Sequence, residues 1–173
     1  MVVEGWLNEY TYKVGTEWYG DVRVARYSVM ERPMESFDGG GALFGKAIEL
    51  QNYSFGNQSY YPGDVVQVGL TWLPLQRIER GYKVFVHLYT QIDAAPVAQH
   101  DGVPVGGSTD TARWQVGVEV VDQHGVQLPD SISVGDYTLV VGLYEADSGI
   151  RLSVNGDNAQ DDRLVLGTIS VVH

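Results

Sequence analysis

Hydrophobic residues recur at every second position through most of this chain. Val66, Val68, Leu70 and Trp72 share one side of a run whose other side carries Gln67, Gly69 and Thr71. Tyr82, Val84, Val86 and Leu88 repeat the pattern, with Lys83, Phe85, His87 and Tyr89 opposite them. A period of two marks a strand with one face buried. Further strands are predicted over residues 46–53, 97–100, 114–121, 126–128, 137–144, 150–154 and 164–172. The segments between them are rich in Gly, Pro, Asp and Ser, which favour turns. A hairpin is expected across Ala146-Asp147-Ser148-Gly149. Two strand openings read alike, Pro62-Gly63-Asp64 and Val134-Gly135-Asp136, and each leads to Gly-Leu followed by an aromatic residue. Gly69 lies six residues after Gly63, whereas Gly142 lies seven after Gly135. That offset puts the second glycines on opposite faces relative to their turns, so these are two strands with the same turn chemistry and not a duplicated unit.

No amphipathic helix separates the strands, which argues against a βαβ arrangement. The expected fold is all-β, a two-sheet antiparallel β-sandwich, with an immunoglobulin-like arrangement preferred and a jelly roll second. The N-terminus differs. Val3, Leu7, Tyr10 and Val14 stand at helical spacing beside Trp6, which predicts a short helix within residues 2–14. Trp18-Tyr19-Gly20-Asp21 reads as a turn before a strand over 22–29. Pro33 and the triple glycine Gly39-Gly40-Gly41 read as a linker. The expected division is an N-terminal annex of helix plus hairpin over 1–38 and a β-sandwich over 39–173.

Composition narrows the partners. The chain has 173 residues, 22 acidic against 11 basic, and a net charge of −11. An acidic surface repels phosphate backbones and anionic lipid, so nucleic acid and anionic membrane surfaces are poor partners, and with no apolar stretch near the roughly 18 residues that span a bilayer, direct membrane insertion is not expected. There is no cysteine, which excludes disulfides, thiolate metal sites and a cysteine nucleophile. The N-terminus lacks the basic and apolar regions of a signal peptide, and it opens inside a patterned segment. The expectation is a piece excised from a longer protein.

An ordered set of elements carries a resemblance. It runs from Phe44-Gly45 before Ile48-x-Leu50, through Pro62-Gly63-Asp64, Leu70-x-Trp72 and Val84-Phe85-Val86-His87-Leu88, to Asp101-x-x-Pro104 and Thr111-x-x-Trp114. Leu128-Pro129, Gly135-Asp136-Tyr137, Gly142-Leu143-Tyr144 and Gly149-Ile150-Arg151-Leu152 complete it. Over residues 44–172 the chain resembles a β-sandwich domain at the C-terminal end of some bacterial membrane glycosyltransferase-like proteins. Trp18-Tyr19-Gly20-Asp21-x-Arg23 and Tyr27 look like the hairpin that precedes it. The resemblance implies a domain outside the cytoplasmic membrane, in the cell envelope, attached to a sugar-handling membrane protein. It supplies no catalytic residues. Gln115-Val116-Gly117 stands where Pro-Gly is usual in that family.

The residues themselves bear on three chemistries. No G-x-S-x-G or H-E-x-x-H motif is present, and His87, His100, His124 and His173 are scattered. No catalytic residue and no cofactor is expected. A glycan site needs aromatic faces with polar groups beside them. The ligand-binding candidates are Tyr89, His87, His100, Asp101 and Trp114, placed outside the predicted core face, with Tyr60 and Tyr61 on a loop. The alternative partner is a neighbouring domain of the parent protein. Asp157, Asn158, Asp161 and Asp162 form a calcium-like oxygen cluster, but they lack EF-hand spacing and suit an ordinary hairpin loop. Arg151 is expected to be partly buried against a carboxylate, Asp136 or Glu145. The resulting expectation is a non-catalytic accessory sandwich that binds glycan, with a purely structural or protein-interaction role as the alternative.

Overall fold

The computed structural model describes residues 3–29, 34–56 and 59–173; Pro33 lies outside them. One helix, α1 (Val3–Tyr10), precedes β1 (Tyr12–Tyr19), β2 (Val22–Ser28), β3 (Glu35–Phe44), β4 (Ile48–Phe55), β5 (Val65–Pro74), β6 (Tyr82–Tyr89) and β7 (Ala98–Gly102). Then follow β8 (Val120–Gln127), β9 (Gly135–Glu145), β10 (Val154–Asn155), β11 (Ala159–Gln160) and β12 (Arg163–Val171). The strands form a seven-stranded sheet, β10-β3-β4-β5-β8-β1-β2, and a five-stranded sheet, β11-β12-β9-β6-β7. The chain is an all-β, two-sheet sandwich. No described helix is long and apolar enough to cross a membrane.

The alternating residues do what their period requires. Val66, Val68, Leu70 and Trp72 of β5 meet Val84, Val86 and Leu88 of β6 and Leu139, Val141 and Leu143 of β9 in one buried cluster. Each such side chain contributes about 1.5–3 kcal/mol when removed from water. Trp72 packs edge-on against Phe44, with ring centres 5.2 Å apart.

Four elements differ from expectation. The helix ends at Tyr10, closed by a last helical bond from the Thr11 amide to the Leu7 carbonyl at 2.9 Å, which the Thr11 hydroxyl also reaches at 2.5 Å. The chain then becomes β1, whose apolar spacing had read as helix. Strand β1 runs parallel to β8 at Lys13 and His124, so the sandwich is not wholly antiparallel. The predicted strands 114–121 and 126–128 are replaced by a 3₁₀ turn, Thr111–Arg113, and the single strand β8. The polar residues Asp122 and His124 had masked its centre. Arg151 meets Tyr144 in one isolated bridge, and β10 then pairs with β3 in the other sheet instead of continuing the hairpin.

The triple glycine is not a linker. It forms a bulge inside β3, where the register against β4 shifts between Asp38 and Ala42. Gly40 and Gly41 take φ of 63° and 68°, a region that glycine enters without steric cost. A Cβ on Gly39 would stand 1.8 Å from the Leu50 carbonyl oxygen. Gly39→Ala is therefore expected to destabilise by about 2 kcal/mol or more, because backbone blocks the added methyl. Urea unfolding measures this, and a change within about 0.5 kcal/mol would restore the linker reading.

Candidate functional site

Strand β8 places Asp122 and His124 two residues apart, so both point inward, opposite Leu70 and Val68 of β5. Asp122 is 1% exposed. Its Oδ1 accepts the Val105 amide at 2.8 Å. Its Oδ2 accepts His124 Nε2 at 2.8 Å and the Trp72 indole N–H at 3.4 Å. Burial works to raise this carboxyl's pKa, but His124, the Val105 amide and the Trp72 indole outweigh it and hold it below the usual range. On β7, His100 lies across from Val86 and also turns inward. Its Nδ1 sits 2.8 Å from His124 Nδ1. The result is a polar chain, Trp72–Asp122–His124–His100, that crosses from one sheet to the other. Burial, reinforced by the neighbouring His124, pushes His100 down to about 4, so it is neutral at pH 7.

His100 lines a cleft of about 450 Å³ where β7 meets β1 and β8, bordered also by Lys13, Thr16, His124, Gly102 and Gly107. Lys13 Nζ donates to the Gly106 carbonyl at 2.6 Å and lies 3.5 Å from Glu4. One wall is the turn Pro104–Gly107, in which Val105, Gly106 and Gly107 have φ of 55°, 62° and 94°. Left-handed backbone is costly for a β-branched residue. The bond from Val105 N–H to the buried Asp122 offsets that cost. Gly106 has no room for a side chain, since a Cβ would stand 2.3 Å from Asn8 Oδ1.

A second group occupies the outer face of the five-stranded sheet. His87 Nε2 lies 2.7 Å from Asp101 Oδ1, and His87 Nδ1 lies 3.1 Å from the Tyr89 hydroxyl. Burial acts to raise the Asp101 carboxyl, but the bonds from His87 and Tyr144 hold it below its ordinary value. The Arg151 guanidinium stacks 4.5 Å above Phe85 and that of Arg163 5.5 Å above Tyr89. Both arginines meet Asp162, at 3.3 and 3.2 Å. These side chains close over the aromatic row as a small second core.

That cover changes the standing of several predicted site residues. His87 and Tyr89 are 5% and 2% exposed, beneath the arginines and not open to a ligand. Asp101 is bonded to His87 in the same group but stays exposed. Trp114 is 7% exposed and packs in the main core; its indole N–H has no partner among the described residues. Tyr60 is buried, with its hydroxyl near the Gly56 carbonyl, whereas Tyr61 is exposed and far along the chain from the cleft residues. Of the predicted ligand residues, His100 lines the cleft through its inward face, and Asp101 borders it on the β7 edge. Arg151 is half-buried and paired as expected, but with Asp162. Asp136 accepts Ser170 and Glu145 pairs with Arg80. Asp162 is thus committed to arginines, and no group of three His, Cys, Asp or Glu residues among the described residues could hold a metal. Asp157 and Asn158 instead line a small surface cavity of about 90 Å³, and Asp161 takes a left-handed φ of 56° in the turn before β12. Sequence reasoning missed Asp122, His124 and Lys13. The usable signal was Asp122-x-His124 at strand spacing, with a second histidine on another strand.

No family model and no curated protein matches the sequence. Among solved structures the chain is similar to the C-terminal domain of wzt, with a TM-score of 0.48 and 12% identity over 81% of this chain and 78% of that chain.

The cleft can offer hydrogen bonds from a neutral imidazole, an ammonium group and open backbone. Both nitrogens of His124 and of His87 are engaged within the protein. No hydroxyl is hydrogen-bonded to His100 among the described residues, so the His–Asp chain is not joined to a nucleophile. Its neutral His100 has a stability consequence. The unfolded histidine takes up its proton near pH 6.5, and the folded one only near 4. The unfolded state therefore binds more protons in between. Stability is whole above about pH 6.5 and falls toward pH 4, by at most about 3 kcal/mol and less where water reaches the ring. His100→Gln should flatten this acid limb in urea unfolding compared at about pH 7 and about pH 4.5. An unaltered limb would show that His100 does not titrate this way.

Proposed function

We propose that this chain is a non-catalytic accessory β-sandwich that binds a neutral glycan in the cleft between β7, β1 and β8. In this reading it is an extracytoplasmic domain of a membrane protein that transfers sugars. The observation that carries the binding site is His100. A buried chain of hydrogen bonds fixes its position, while its ring borders a cleft large enough for a small polar ligand. Lys13 and the glycine-lined wall supply further polar groups and close backbone approach. The net charge of −11 disfavours polyanionic ligands, and a neutral sugar escapes that repulsion. The ordered sequence elements that resemble the C-terminal domain of glycosyltransferase-like membrane proteins supply the cellular setting. The aromatic platform expected for sugar CH groups is not part of this cleft, so hydrogen bonding carries the recognition.

A protein-interaction role is the second reading. It is favoured by the exposed Trp18, Tyr19 and Val22 at the end of the β1–β2 hairpin. Titration of labelled protein with neutral cell-envelope monosaccharides, followed by NMR, separates the two. Binding at about millimolar Kd is expected, with amide shifts confined to Gly102, Gly107 and their neighbours. His100→Ala should weaken it at least tenfold, about 1.4 kcal/mol. No shift at these amides up to the solubility of every sugar tested would sink the glycan reading and leave the interaction role.

A further inference from the structure

The hydrogen-bond chain beneath the cleft determines where its protons sit. Asp122 receives three groups, and two of them, the Val105 amide and the Trp72 indole, can only donate. An ionised carboxylate has no proton to return, so His124 Nε2 must carry one. With His124 as the uncharged imidazole that is its single N–H, and Nδ1 is bare; an imidazolium would instead donate from both nitrogens and reverse the bond to His100. Facing the uncharged ring, the His100 nitrogen 2.8 Å away is the donor of that bond, through Nδ1–H. The remaining nitrogen of His100, Nε2, holds a lone pair and has no protein partner among the described residues.

We infer that His100 presents Nε2 to the cleft as a hydrogen-bond acceptor of fixed tautomer, so that the cleft selects ligands bringing a hydroxyl donor. The inference rests on the glycan-binding reading for its ligand, while the tautomer itself does not. Most surface histidines choose a tautomer to suit what binds them. Here an inverted ring would set two N–H groups or two lone pairs against each other across the His100–His124 contact. The neighbouring Lys13 ammonium offers donors only. The pair thus divides the work. Lys13 suits the oxygen of a hydroxyl, and His100 suits its proton. A sugar hydroxyl satisfies both, whereas an ether oxygen satisfies only the lysine.

Two measurements on the intact ¹⁵N-labelled chain test this. Long-range proton–nitrogen spectra of the histidine rings at neutral pH should show His100 as the Nδ1–H form and His124 as the Nε2–H form. His100→Gln and His124→Gln assign the signals, and sequential assignment of the wild-type rings serves if either variant fails to fold. His100 in the Nε2–H form overturns the inference, whatever binds. In the second arm, any monosaccharide that binds is compared with its fully O-methylated derivative. Methylation should weaken binding more than tenfold, and the free sugar should move the His100 Nε2 signal. Equal binding of the two forms overturns the hydroxyl selection while leaving a glycan site. Failure of every sugar to bind, with the tautomer as stated, overturns the selection together with the glycan reading.

Discussion

A single buried carboxylate organises this molecule. Asp122 lies on the inner face of β8, where burial of a bare charge would cost several kcal/mol. It persists because three donors converge on it from three segments: Trp72 on β5, His124 on its own strand and Val105 in the turn before it. Each donor does something else as well. Trp72 fills the centre of the apolar core, His124 reaches the opposite sheet through His100, and Val105 is held in a backbone conformation that valine avoids. Apolar packing alone would bring the sheets together without fixing the side opening between β7 and β8. The polar chain sets that opening, since a hydrogen bond of 2.8 Å between rings on two sheets tolerates little sliding.

The two His–Asp groups among the described residues have opposite fates. His87 and Asp101 sit on the outer face of the five-stranded sheet, among Phe85, Tyr89 and Tyr144, and two arginines stack over them. The stacked guanidiniums share Asp162 and remove most of that surface from water. His100 and His124 lie one residue away on β7 and on the facing strand, yet they open on a cleft. The difference follows from the pleat. Adjacent residues His100 and Asp101 point to opposite sides of β7, so one joins the space between the sheets and the other joins the outer-face group, at its exposed edge.

The main core was legible in the sequence because β5, β6 and β9 alternate cleanly and bury their apolar side. The expected two-sheet sandwich follows from those strands. The centre of β8 was illegible for a definite reason. Asp122-Gln123-His124-Gly125 has the composition of a turn, and only knowledge of a partner on another strand turns Asp122 and His124 into inward-facing residues. The same blindness affects His87 and Tyr89. They stand on the face opposite the core, as the alternation says, but the period cannot reveal that Arg151 and Arg163 arrive from distant segments to cover them. The triple glycine misled in another way. Three glycines suit a flexible linker and a bulge equally well, and the choice depends on the Leu50 carbonyl 1.8 Å from where a Gly39 side chain would begin.

The position of the N-terminal segment ties these points together. Lys13 belongs to β1 and Asn8 to α1, both inside the segment expected to be a separate annex. Lys13 nevertheless bonds to the Gly106 carbonyl, and Asn8 fills the space that a side chain at residue 106 would need. The turn they clasp is the one whose Val105 amide feeds Asp122. Lys13 also pairs in register with His124 on β8. The N-terminal residues therefore form one wall of the cleft and brace the strained turn that forms another. The Lys13 bond thus runs from the N-terminal segment to the turn beside the cleft, one step removed from the bonds that hold His100 in place. The cleft is consequently built by the N-terminal segment and the sandwich jointly, and the bond that joins its walls spans 93 positions of the sequence.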